Sequence, residues 1–592
     1  MNASWGSRFG VALAIVAGCA GDDERAPDVH IPTPAPPDAC VPGAYPNAKD
    51  GALAKGDVFP PLRFDAIDEA GRPGPFDASD AYAPCGSNPR VLVVRVVAGW
   101  CGTCQWTSGN TKLVLGDVAS SRARFVDVVV RDDDNEPPSS ADLSAWQKRQ
   151  DIRGVVALDP SMQLVVAKTP LPRVLVIDPR TMKITADFAD PPPEAVRDAI
   201  AEVVASNDGK PVPAPSPRPK KDGRFDTKQW SMLQAMRLSG PPPADPTNRY
   251  GDDPNVAELG LDFFEDKLLS PSGLVSCERC HEKRRAFTDG SEVATGGIMG
   301  ASRNTPTVVM AAWARWQLWD GRADSLWMQA LLPFEDANEH GSSRSFIAHR
   351  VYDAYKARYE RAFGPMPDLA NSTAFPPQGK PGDAAWEAMT PANRDAVTEV
   401  FVNVGKAIAA FERSFRVTQT PLEAYAIGYP GTLDDTQKDG LLAFFELGCA
   451  QCHYGGRFTD DAFHVMRFPS GRADFQADRG RIDAYAKYDA NEFRADGRWS
   501  DAKTIRRKAP FDRMLGGFKT PPLRGVNITG PYGHGGSVPT MQMAVDLHRT
   551  LGRPAGDSFT TGEIEPWVVP FGEERVAPLV ALLSTFGLGF TR

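Results

Sequence analysis

The chain carries no block of basic residues: 66 Lys and Arg stand against 75 Asp and Glu, a net charge of −9. Binding to DNA or RNA needs a basic face, so no nucleic acid partner is expected. Nor does any stretch reach the ~20 apolar residues that a membrane-spanning helix requires. The longest apolar run, residues 9–17, has the length of a signal-peptide core. Disorder throughout is excluded too, because 42% of residues are hydrophobic, an ordinary value for a folded protein. Proline is in excess, 53 in 592 residues, against a usual ~5%, which implies long ordered loops and a stiff linker. Nine cysteines make an odd number, and in an exported chain one sulfur then needs its own explanation. At roughly 100–200 residues per domain, the length fits three or four domains.

Residues 1–18 read as a signal peptide with one basic residue, Arg8, ahead of the apolar core. Val16-Ala17-Gly18-Cys19 resembles the bacterial lipobox, which implies cleavage before Cys19 and a lipid on its sulfur. A plain secretory peptide with an unmodified Cys19 is the alternative. The expectation is a soluble body in the periplasm or cell envelope, tethered through Cys19 in oxidising surroundings. Residues 19–45 are a Pro/Asp/Ala-rich spacer. Residues 46–206 alternate short β-branched runs (90–97, 125–130, 174–177) with helical stretches such as 141–150, an α/β pattern. In 210–219, KPVPAPSPRP, proline at alternate positions forbids helix and central strand, so 207–224 is read as a linker. Beyond it, segments such as 257–269, 325–332, 394–415 and 435–447 carry helical spacing.

Three motifs bear chemistry. Trp100-Cys101-Gly102-Thr103-Cys104 follows a buried-looking strand and opens a helix, where backbone N–H groups and the helix dipole favour a thiolate at Cys101. It resembles the active site of thioredoxin-like thiol–disulfide oxidoreductases. The resemblance implies Cys101 as nucleophile, Cys104 as resolving cysteine and a cis bond before Pro172. A static disulfide and half of a zinc site are the alternatives. Cys40 and Cys85, which flank the strand core, are expected to pair with each other.

Cys277-Glu278-Arg279-Cys280-His281 and Cys449-Ala450-Gln451-Cys452-His453 are both C-x-x-C-H. Two thiols at this spacing reach the two vinyl groups on one haem edge, and the following imidazole binds the iron. Two covalently bound haem c groups are therefore expected, and a zinc site assembled from such distant segments is the weaker reading. Around the first motif stand Phe287-Thr288-Asp289-Gly290, Arg303-Asn304-Thr305-Pro306 and Trp319-Asp320-Gly321-Arg322. After the second stand Phe518-Lys519-Thr520-Pro521-Pro522-Leu523-Arg524 and Pro531-Tyr532-Gly533-His534-Gly535-Gly536. The order and spacing resemble the bacterial di-haem cytochrome c peroxidases and their relatives that mature methylamine dehydrogenase, over nearly all of 250–590.

That resemblance implies a multidomain protein. An α/β thioredoxin-like domain would precede tandem, mainly α-helical cytochrome c-type domains: 225–425 binding peroxide and 426–592 transferring electrons, with the linker dividing thiol from iron chemistry. Glu339, twenty residues after Trp319, would shuttle a proton between peroxide oxygens, and Trp319 would lie between the haems. Arg322 would bind haem. Asn304, with the backbone carbonyls near Thr529 and Pro531, would form a calcium site. The loop 291–302 lacks the histidine that closes the peroxide-binding iron in many of these enzymes, which implies an open or water-bound iron, with Met299 as the less favoured ligand. His548 aligns with the family's sixth ligand at the other iron, implying His453/His548 ligation and a lowered potential. Met541, Met543 and a surface His548 are the alternatives there. The function implied is reduction of hydrogen peroxide with electrons from a small cytochrome c or copper protein. Oxidation of a protein or organic substrate, and non-catalytic electron transfer by a lipoprotein, are the competing readings.

Overall fold

The computed structural model describes residues 43–591 except 50, 113–121, 239, 298–302, 471–477, 505–508, 511 and 553–560. The signal peptide, Cys19, Cys40 and Met299 thus lie outside the described residues. Residues from Gly43 onward form one compact unit. Among the described residues no helix is long and apolar enough to cross a membrane.

The first half is built on a seven-stranded sheet in the order β2-β1-β5-β4-β3-β6-β7. Beside its central strand β4 lies β3 (Val91–Ala98), buried at every position, as expected of a β-branched run covered on both faces. β4 (Ala123–Arg131) lies parallel to β3, and β5 (Val155–Leu158) parallel to β4. On the other side β6 (Arg173–Ile177) and β7 (Ile184–Ala189) run antiparallel. β1 (Arg63–Ile67) and β2 (Pro73–Asp77) extend the β5 edge. The sequence reading missed both, because Pro73, Gly74 and Pro75 read as breakers. Proline is tolerated in β2 because an edge strand leaves N–H groups unpaired. The parallel pair, the helix Gly102–Gly109 directly after β3 and the cis Leu171–Pro172 bond before β6 make the thioredoxin-like arrangement.

The second half is helical, as read from its periodicity. Helix Pro254–Glu265 crosses helix Pro391–Arg413 so closely that a Cβ on Gly260 would lie 1.9 Å from the Ala407 carbonyl oxygen. Helix Asp435–Glu446 crosses Val576–Leu583 in the same way, with Gly440 against the Pro578 carbonyl at 2.0 Å. Each haem motif thus follows a helix docked through a glycine, one device used twice.

The proline-rich segment separates the two halves in sequence but not in space, contrary to the expected division of chemistries. Helix Thr227–Ala235, just past it, folds back on the α/β domain. The Trp106 indole N–H donates to Ser231 Oγ at 3.0 Å, and the buried Lys228 ammonium bonds Asp190 and Thr107. Spacing along a chain sets the reach of a linker, not which surfaces its ends present to each other.

Candidate functional site

In the first motif the short helix Cys277–Cys280 ends at His281, whose Nδ1–H donates to the Phe287 carbonyl at 3.0 Å. Ala286 and Phe287 both sit in the left-handed region, at φ 53° and 59°, and this tight turn brings that carbonyl back to the ring. In the second motif His453 Nδ1–H donates to the Phe458 carbonyl at 2.9 Å, and Phe458 is likewise left-handed at φ 57°. With Nδ1 committed, each ring keeps Nε2 as its free lone pair, the tautomer a metal needs. Burial favours the neutral form, lowering the His281 pKa and bringing His453 down to about 4. All four motif cysteines are free of disulfides.

One continuous, largely apolar cavity is lined by residues of both motifs. It also takes in Arg303, Arg322 and Arg457, cations suited to the carboxylates of a porphyrin. Free thiols at C-x-x-C spacing, an oriented imidazole beside each pair and a shared apolar cleft with cationic walls fit two haem c groups.

His548 lies in the last turn of helix Met541–Arg549 and lines the same cavity. Its Nδ1–H donates to the Ala544 carbonyl at 2.9 Å, again leaving Nε2 free. Its ring centre is 6.5 Å from that of His453. Metal–imidazole bonds of about 2 Å on either side of one ion, plus about 1 Å from nitrogen to ring centre, give a separation of roughly 6 Å. Met541 lines the cavity as well, whereas Met543 is exposed.

Glu339, Trp319 and Arg322 line this cavity too. Burial raises the Glu339 pKa, Asp336 adds to the rise and Arg322 opposes it. The Arg322 guanidinium is steadied by Asp320 at 2.9 Å. Burial alone would raise the Asp320 pKa, but Arg322 and Arg303 outweigh it and hold the carboxyl at about 2. The Trp319 indole N–H donates to the Asn304 carbonyl at 2.9 Å, and the Trp319 carbonyl accepts the Lys519 N–H at 2.8 Å. The side-chain amide of Asn304 donates to the Ser291 carbonyl, its backbone N–H to the His534 carbonyl, and Thr529 and Pro531 line the cavity nearby.

Sequence reasoning missed Gln329 and Pro333, which line both this cavity and a small pocket beside Glu339. Their spacing of four on helix Leu326–Glu335 puts them on one face, a signal that was available. It also missed Glu412, buried beside Cys277 with one carboxyl oxygen lacking any partner among the described residues.

The thiol motif lies against the second haem motif. Cys101 and Cys104 are joined in a disulfide and have no exposed surface. Cys101 Sγ accepts the Cys104 N–H at 3.1 Å, and Thr103 Oγ1 donates to the Leu171 carbonyl at 2.8 Å. The Leu171 N–H, beside Pro172, donates to Gln451 Oε1 at 3.0 Å. Gly102 faces Tyr454 so closely that a Cβ would fall 2.4 Å from that side chain. Trp100 packs edge-on against His464 at 4.6 Å and near Trp567 at 5.2 Å, while Cys452 packs on the apolar cluster that contains Cys101 and Cys104. Cys85 is disulfide-bonded, but the expected pairing with Cys40 falls outside the described residues.

The family model for di-haem cytochrome c peroxidase matches residues 254–430. The methylamine utilization protein MauG of Methylorubrum extorquens is 29% identical over 336 residues, covering 56% of this chain and 78% of that protein. The cytochrome c551 peroxidase of Pseudomonas aeruginosa is 29% identical over 322 residues, covering 53% and 78%. A MauG-like protein associated with microbial copper homeostasis, known from its crystal structure, is 24% identical with a TM-score of 0.43, covering 59% and 93%. Similarity to the di-haem cytochrome c peroxidases thus runs through the segment that holds the first attachment motif and Glu339, and an N-terminal α/β domain of thioredoxin-like topology precedes it.

Proposed function

We propose that the chain reduces hydrogen peroxide to water at the Cys277/Cys280/His281 haem, using electrons that a small cytochrome c or copper protein delivers to the Cys449/Cys452/His453 haem. The observation that carries this reading is Glu339, a carboxyl of raised pKa on the cavity wall beside the first attachment motif. Bound there, haem would supply the iron that takes peroxide and passes it electrons. Glu339 takes the proton from one peroxide oxygen and returns it to the other, the transfer that makes water a leaving group. Arg322 fixes the local field, and Gln329 and Pro333 narrow the space around the carboxyl. A pure electron carrier has no use for such an acid–base group, which disfavours that competitor.

Export, lipid attachment at Cys19 and a calcium ion held by Asn304 and the backbone at Thr529 and Pro531 complete the proposal. The residues 16–19 and a disulfide chemistry suited to oxidising compartments support the first two. Oxygen ligands suit calcium. Steady-state peroxide consumption by the fully haem-loaded protein with a reduced small cytochrome or copper protein tests the function. Failure to turn over with either donor class would sink it.

A further inference from the structure

We propose that the Cys101/Cys104 pair is a built-in reductant for the second haem-attachment motif, keeping Cys449 and Cys452 as thiols until haem is joined to them. Attachment adds each S–H across a vinyl group, so both cysteines must be reduced. In an oxidising compartment two cysteines three apart instead tend to close on each other.

Three observations place the pairs as exchange partners. The thiol helix and the loop before Pro172 form one surface, and that surface is covered by 448–454, the second motif itself. Gln451, inside C-x-x-C-H, accepts the loop N–H of Leu171, and Gly102 leaves room for Tyr454 where any side chain would collide. Cys452 packs on the cluster formed around Cys101 and Cys104. Cys277 packs instead in the helical core cluster, away from the thiol pair. The covered face also leaves Cys101 and Cys104 without exposed surface, so an external protein thiol has no approach while this motif is docked.

Cys101, at a helix N-terminus and accepting the Cys104 N–H, attacks Cys452 of a Cys449–Cys452 disulfide as its thiolate. The Cys449–Cys452 bond breaks, Cys449 leaves and takes a proton, and a Cys101–Cys452 bond forms. Cys104 then attacks Cys101, closing Cys101–Cys104 and releasing Cys452, which is protonated. Two electrons and two protons pass from one pair to the other. The thiols with which the chain is synthesised supply them, so one turnover per molecule suffices.

The test is to express the full chain carrying Cys101→Ser and Cys104→Ser aerobically in a host that attaches haem c, and to measure haem on the 277–281 and 449–453 peptides by mass spectrometry. The expected result is loss of most haem from 449–453 with 277–281 unchanged, restored when a small dithiol is added during expression. Wild-type occupancy at both sites, equal loss at both, or a loss that the dithiol does not restore would overturn the proposal. Cys104→Ser alone should accumulate a disulfide between Cys101 and Cys452 or Cys449. Its absence, or linkage of Cys101 to Cys277 or Cys280, overturns it as well.

Discussion

His453 and His548 face each other with ring centres 6.5 Å apart, and each donates its Nδ1–H to a backbone carbonyl. Two imidazoles so held have their remaining lone pairs available to one ion. The resting ferric protein should therefore show a bis-histidine, low-spin signature for this haem. His548→Met should bring in the near-infrared band of methionine ligation and raise the potential on the order of 0.1 V, well inside the ~0.8 V that axial ligands command. Spectroelectrochemistry of both forms checks this, and a methionine band already present in the unsubstituted protein would point to Met541 instead.

Glu339→Gln keeps the shape of the cavity wall and removes the proton carrier. Peroxide reduction should fall about 10²- to 10⁴-fold, the range for loss of a positioned acid–base group, with both haems still covalently bound by mass. Stopped-flow mixing of the ferric protein with peroxide measures it. An unchanged rate would place proton transfer elsewhere.

The pH profile follows from the same residue. Burial raises the Glu339 pKa above its ordinary 4.5, so the carboxylate that accepts the first proton becomes populated only above that value. The rate should climb with pH through a midpoint higher than 4.5 and then level. In Glu339→Gln this rising limb should vanish.

Glu412 carries a stability prediction. Burial alone lifts its pKa from 4.5 to about 8. Between those values the folded chain holds a proton that the unfolded chain has released, so stability falls as pH rises, by about 1.4 kcal/mol per pH unit for one proton. Glu412→Gln should flatten that slope and raise the melting temperature most at pH 8. Calorimetry from pH 5 to 8 on both proteins checks it, and parallel slopes would mean the carboxyl is solvated.

Much of this architecture was legible in the residues because the relevant physics is local. The run Arg90–Val97 appears as β3 almost to the residue, and the thiol motif opens a helix directly after it, as its position implied. The edge strands Arg63–Ile67 and Pro73–Asp77 escaped because their pairing is decided by neighbours rather than by their own propensity. Glu412 was equally hidden: in Phe411-Glu412-Arg413 a carboxylate beside a guanidinium reads as a solvated helix end, and only the packing of Pro391–Arg413 against Pro254–Glu265 shows it buried. The contact of Leu171 with Gln451 joins residues 280 apart, and no local pattern encodes a docking of that kind.

Helix Thr227–Ala235 also changes what the proline-rich segment is for. A tether governs encounter only while its two ends can drift apart, by setting the effective concentration of one end around the other. Here Ser231 and Lys228 hold the far end against Trp106, Thr107 and Asp190, so the exposed stretch at 210–219 behaves as a strap across a closed seam rather than a hinge. Ser216 and Arg218 fasten that strap to Asp198 of the α/β domain, so it adds grip along the seam rather than reach.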